Sequence, residues 1–199
     1  MARRSEHSRE QIKQMVLNAA EEIIQEQGFS ALKVRKIAAD IGYTVGSIYM
    51  VFSNMNDLNM HIKARTWQKM LEHLKAVEQS KSTANNIENI ALAYLEFSVG
   101  NIGLWRMLFE HQLPVGENIP DWYWQECEAV VVLFSMQLQG LTSEHTDLQI
   151  QQAAQALNKA IQGICMQSII HKQSPAYLVE VREELVLLVN CYLRGWQQN

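Results

Sequence analysis

An all-helical chain is the prediction, and three observations carry it. Helix formers dominate the 199 residues, with 48% hydrophobic content and only three prolines, all beyond position 110. Apolar residues recur at three- and four-residue steps rather than alternating. Glycine and proline fall at the ends of those periodic stretches, where a helix stops or starts. The architecture expected is a three-helix N-terminal head on a larger helical body, about nine helices in all.

The elements follow in order. Ile12, Met15, Val16, Ala19, Ala20, Ile23 and Ile24 form one stripe over 9–27, with Ser8 and Gln11 spaced as a capping pair and Gly28 as the stop. Val34, Ile37, Ala38 and Ile41 repeat the pattern up to Gly42. A third short helix, 45–52, carries Val45, Ile48, Tyr49 and Phe52. A long helix runs from about Met55 to Gln79. Helices over 84–99 and 102–111 precede a loop at 113–120. Asp121 caps a helix to about Gln139. The last two helices span 146–172 and, from Ser174-Pro175, about 176–196.

Net charge is −4, but it is unevenly spread. Residues 1–65 hold nine Lys/Arg and seven Asp/Glu, whereas 66–199 hold eight and fourteen. A basic head on an acidic body suggests two tasks in one chain. Domains are expected at 1–54 and 55–199.

Other classes find little support. The three cysteines (Cys127, Cys165, Cys191) are far apart and read as reduced, buried, inert thiols. The six histidines show no metal spacing, and His7 and His145 are expected at the surface. No phosphate loop or nucleophile motif occurs. The chain is therefore expected to be no enzyme, with no catalytic residue, metal or cofactor. With no apolar run long enough to span a bilayer and no apolar leader, a cytoplasmic protein without membrane partners is expected.

The informative segment is Val34 to Phe52, VRKIAADIGYTVGSIYMVF. Two steeply crossing helices need a small residue at their crossing, here Ala38. They need a turn residue tolerant of positive φ, here Gly42. They need apolar inner faces, here Ile37, Ile41, Ile48 and Val51. These offsets describe a helix-turn-helix. The outer face of its second helix carries small or hydrogen-bonding groups and no carboxylate, a surface able to approach phosphates and base edges.

With AAEEIIQEQGF (19–29), IAADIGYTVGSIYMVF (37–52) and Asp57-Leu58, the sequence resembles the TetR/AcrR family of bacterial transcription regulators. The resemblance covers about a quarter of the chain. It implies a DNA-binding, homodimeric regulator, most simply a ligand-responsive repressor on a near-palindromic operator. It maps DNA contacts onto Lys33, Arg35, Thr44, Val45, Gly46, Ser47, Tyr49 and Met50, with Arg3-Arg4 as a further basic tail. It also implies a small-molecule cavity in the body.

Two positions depart from the family pattern. Lys33 stands where a capping Thr or Ser is usual. Met55 stands where a phosphate-binding Lys is usual. They motivate the alternative of a small-molecule-binding helical protein with weakened or lost DNA binding.

For the cavity the candidates are Trp105, Phe109, Trp122, Trp124, Phe134 and Met166, and the expected effector is small and hydrophobic or aromatic. His111, Gln112, Tyr94, Gln162 and Gln167 are candidate polar groups within it. Helices 146–172 and 176–196 are apolar beyond what one neighbour covers, with small residues at Ala153, Ala156, Ala160 and Gly163. By the resemblance they form the homodimer bundle.

Overall fold

The computed structural model describes residues 7–78, 80–141, 145–170 and 174–197. Among these, nine α-helices are present and no strand: α1 Arg9–Gln27, α2 Val34–Asp40, α3 Val45–Tyr49, α4 Met55–Lys75, α5 Thr83–Gly100, α6 Ile102–Glu110, α7 Asp121–Gln139, α8 Asp147–Ile170 and α9 Pro175–Gln197. The all-helical prediction and its helix count are met. A 3-10 turn, Phe29–Ala31, was not expected. Helix α4 stops at Lys75 rather than Gln79, and α3 is a single short segment. No helix of the described residues is long and apolar enough to cross a membrane.

The chain forms two compact units, residues 1–66 with 101–123 and residues 67–100 with 124–199. The sequence-defined head, 1–54, lies within the first.

The first unit begins with a reciprocal cap. Ser8 Oγ accepts from the Gln11 N–H at 3.2 Å, and Gln11 Oε1 accepts from the Ser8 N–H at 2.7 Å. Gly28 ends α1 at a φ of 80°, a conformation that costs glycine little. Another cap starts α4: Asn54 accepts from the Asp57 N–H, and the Asp57 carboxylate accepts from the Ser53 N–H. The core gathers Val16, Ala20, Ile24, Ile37, Ala38, Ile48, Phe52, Leu58 and Ile62, joined by Leu104 and Met107 of α6. Helix α6 reaches it because Gly103 lies directly against the backbone of Ile24. Arg65 of α4 grips α1, with Nε 3.1 Å from the buried Glu21 carboxylate and Nη2 donating to Asn18.

This interior holds two partly or wholly buried imidazoles. His61 stacks on Trp122 at 4.6 Å and meets Phe52 edge-on. Burial first, then the Lys13 charge, lowers its pKa against the pull of Asp57 and Glu10. Burial first, then Lys63, lowers that of His111 against Glu117. Both therefore bind protons more readily in the unfolded chain. Their stabilisation is complete above the ordinary value of 6.5 and is lost as pH falls through the lower folded values. The melting temperature should fall between about pH 7 and pH 5 more steeply than in a His61→Gln/His111→Gln double variant. Equal slopes in circular-dichroism melts would refute this assignment.

In the second unit α5, α8 and α9 pack on one another. Their buried residues include Ile87, Ile90, Tyr94, Leu157, Ile161, Cys165, Val181, Leu185 and Val189. Ser98 and Ser168 enter this apolar setting by donating to the carbonyls of Leu95 and Cys165 within their own helices. The expectation of three buried thiols needs correction. Cys165 is buried, Cys127 is intermediate and Cys191 is exposed. Burial pushes the Cys165 thiol up to about 12, so that sulfur is a poor nucleophile.

Candidate DNA-binding face

The helix-turn-helix is built as its residues require. Ile37, Ala38 and Ile48 are buried, and Ile41, Val45 and Val51 pack partly buried around them. Gly42 turns the chain at a φ of 70°, and the Tyr43 N–H closes the turn on the Ala38 carbonyl at 2.9 Å. Thr44 caps α3: its Oγ1 accepts from the Ser47 N–H at 3.2 Å and lies 2.9 Å from the Ser47 hydroxyl.

The structure places the eight sequence-derived positions on two neighbouring segments of one unit. Lys33 and Arg35 are exposed at the start of α2. Thr44 and Gly46 are exposed on α3, and Val45 and Ser47 are partly covered. Tyr49 is 43% and Met50 63% exposed. Arg3 and Arg4 lie outside the described residues.

Several supporting contacts were not apparent from sequence. Arg9, at the start of α1, donates to the Met50 carbonyl and so fixes the end of α3. Lys36 donates to Gln27. Lys13 stands over the Phe52 ring at 5.8 Å. His7, expected at the surface, is partly covered, with Nδ1 2.7 Å from the Tyr43 hydroxyl. His145 is likewise partly covered, against Trp196 at 3.8 Å. Apart from Lys36–Gln27, nine residues apart, these pairings join residues far apart in sequence, beyond the reach of helical periodicity. The basic side chains Arg9, Lys13, Lys33, Arg35 and Lys36 thus all belong to this unit.

Lys33 occupies the N-cap of α2 with no side-chain bond to the first turn. A hydroxyl there would satisfy one open backbone N–H. Lys33→Ser should therefore raise stability by about 1 kcal/mol. An unchanged urea midpoint would count against that reading. Met55 is partly buried against the core of the unit.

The six aromatic and sulfur candidates for an effector site divide between the units. Trp105 and Phe109 meet at 5.0 Å in the first, together with Trp122. Trp124, Phe134 and Met166 belong to the second. Trp105 and Phe134 are fully buried, whereas Trp122 and Trp124 are partly exposed, at 37% and 48%. Of the polar candidates, His111 and Tyr94 are buried, and Gln112 and Gln167 are exposed.

Comparison with known proteins agrees with this geometry. Residues 16–59 match the family model for bacterial regulatory proteins of the tetR family. The fatty acid metabolism regulator protein of Bacillus subtilis (strain 168) is 31% identical over 77 residues. That match spans 39% of each protein, well under half of the relative's length. A tetR-family transcriptional regulator from Streptomyces coelicolor superposes with a TM-score of 0.70 at 12% identity, covering 92% of this chain and 79% of that one. BioQ, solved with its double-stranded DNA operator, gives 0.65 at 16% identity over 94% and 98%. At such identities the structural likenesses speak for the fold. Over its helix-turn-helix the chain is thus similar in sequence to bacterial regulatory proteins of the tetR family, and over most of its length it shares the fold of solved members.

Proposed function

We propose that this protein is a DNA-binding transcriptional regulator, acting as a ligand-responsive repressor on a near-palindromic operator. The observation that carries the proposal is the outer side of α3. It is exposed, free of carboxylates and presents Thr44, Gly46, Ser47, Tyr49 and Met50 beside the cations Lys33 and Arg35. Double-stranded DNA presents phosphates to such cations and hydroxyls, and base edges and thymine methyls to the small and apolar groups. Tyr49 and Thr44 would donate to phosphates, Val45 and Met50 would meet methyl groups, and Arg35 would reach a guanine or a phosphate. The DNA-bound state of BioQ, which shares the fold, supports this reading.

A homodimer through the last two helices completes the proposal. Leu148 of α8 and Val179 and Leu187 of α9 are each more than half exposed, and such surface favours a partner. Two-fold symmetry would give the operator its near-palindrome, with the heads about 34–36 Å apart or a multiple of that. A small hydrophobic or aromatic effector, contacting members of the set Trp105, Phe109, Trp122, Trp124, Phe134 and Met166, would favour the conformer with wrongly spaced heads. The shift it causes cannot exceed its differential affinity for the two conformers. The protein would act in the cytoplasm and catalyse no reaction. The uncapped Lys33 and the partly buried Met55 favour a second reading, an effector-binding protein with weak DNA affinity.

The test is selection of bound duplexes from random DNA, then salt titration of the selected site by fluorescence anisotropy. A palindromic site with a steep salt dependence is expected. Arg35→Ala should weaken binding about tenfold and, if Arg35 meets a phosphate, reduce the slope by about one. A folded protein that enriches no site at low salt would shift the assignment to the second reading.

A further inference from the structure

The first unit contains a groove of about 490 Å³ lined by Phe29, Leu32, Val34 and Met55, with Lys33, Arg35 and Asn59 completing it. Its chemistry is graded. Four apolar side chains make the walls. Two of the lining residues, Lys33 and Arg35, are exposed cations. Asn59 is 6% exposed, and its Oδ1 is buried without a hydrogen-bond partner.

An unpaired amide oxygen in an apolar wall is costly unless something supplies a donor. No neighbouring side chain does so. One helical turn further along α4, Lys63 donates to the His111 carbonyl at 3.1 Å and so points its ammonium elsewhere. The His111 ring, edge-on to Phe29 at 5.8 Å, also keeps both nitrogens buried and unpartnered. Asn59 thus lines the groove with an unpartnered oxygen, and the His111 ring packs on Phe29 of the same lining.

We propose that this groove is a binding site for a small apolar carboxylic acid that carries a hydroxyl at the end remote from its carboxylate. The hydroxyl donates to Asn59 Oδ1. The apolar body lies along Phe29, Leu32, Val34 and Met55. The carboxylate meets Arg35 and Lys33 by charge complementarity. The site is separate from the aromatic set assigned to the effector above. Because Arg35 and Lys33 are also the cations proposed for DNA, occupancy of the groove and of DNA exclude one another, and each weakens the other by the same factor. That last consequence rests on the DNA-binding reading; the site itself does not.

The experiment uses the full chain without DNA. Para-hydroxyphenylpropionate is titrated in, with phenylpropionate as the matched probe lacking the hydroxyl, and binding is followed by calorimetry and saturation-transfer NMR. Saturable binding is expected, with the hydroxylated acid favoured about fivefold to tenfold. Asn59→Leu should abolish that preference while leaving phenylpropionate binding nearly unchanged. Val34→Phe, which fills the groove from a partly covered position, should remove binding of both and serves as the second variant if Asn59→Leu unfolds. Absence of saturation at millimolar probe, or a preference that survives Asn59→Leu, would overturn the site. A probe that binds and obeys both variants upholds it even if no DNA is ever bound. DNA binding with no probe binding upholds the regulator and removes the groove.

Discussion

Gly103→Ala should destabilise the protein by roughly 3 kcal/mol, lowering the melting temperature by about 9 °C. A Cβ at position 103 would lie 2.2 Å from the Ile24 carbonyl oxygen and 2.9 Å from its carbon. Both are backbone atoms in the last turns of α1, so no rotamer change relieves the overlap. The helices must separate, and separation opens the core between Leu104, Met107 and Ile24, all essentially inaccessible to solvent. Alanine is the better helix former, so helix propensity alone predicts the opposite sign. A stability equal to wild type in chemical denaturation would show that α1 and α6 approach less closely than described.

Gly46→Glu should leave the fold intact and reduce DNA affinity by about a hundredfold or more. Gly46 is exposed on α3, and a Cβ there meets only Thr44 Oγ1, at an ordinary 3.6 Å. A glutamate at this position places the first carboxylate on the proposed DNA-facing side. Phosphate repulsion then acts on every sequence, so the loss should extend to non-specific duplexes and shrink as salt rises. Gly46→Gln, of the same size without the charge, separates repulsion from bulk. Equal affinities for wild type and Gly46→Glu, in a protein with unaltered circular dichroism, would remove α3 from the interface.

Much of the fold was legible because helix signals are local. The Ser8–Gln11 pair, the stops at Gly28 and Gly42, and the stripe from Val16 to Ile24 each lie within a few turns. The helix-turn-helix was legible for the same reason, since Ala38, Gly42 and Ile48 answer one local crossing. What stayed hidden depends on long-range contact. Helix α6 reads as one more helix of the body, yet Leu104 and Met107 complete the core around Ile24. Nothing in its periodicity says which neighbour it will meet. The Arg65–Glu21 pair joins positions 44 residues apart and has no sequence signature. Likewise, the run from Trp105 to Trp124 looked continuous, whereas the chain passes from one compact unit to the other at Tyr123 and Trp124. The Asn59 groove was missed because an asparagine inside an amphipathic helix looks like a solvated residue until its burial is known.

The interrupted make-up of the first unit bears on biosynthesis. A chain emerging from the ribosome displays α1 to α3 long before Leu104 and Met107 exist to cover Ile24. At ~5–20 residues per second, the roughly 50 residues between Leu58 and Met107 take some seconds to appear. During that interval the nascent head exposes part of its apolar interior and presents a surface for chaperones. Its native form is reached only after α6 has been synthesised. The part proposed to read DNA is therefore a late product of translation, although its residues are among the first to be made.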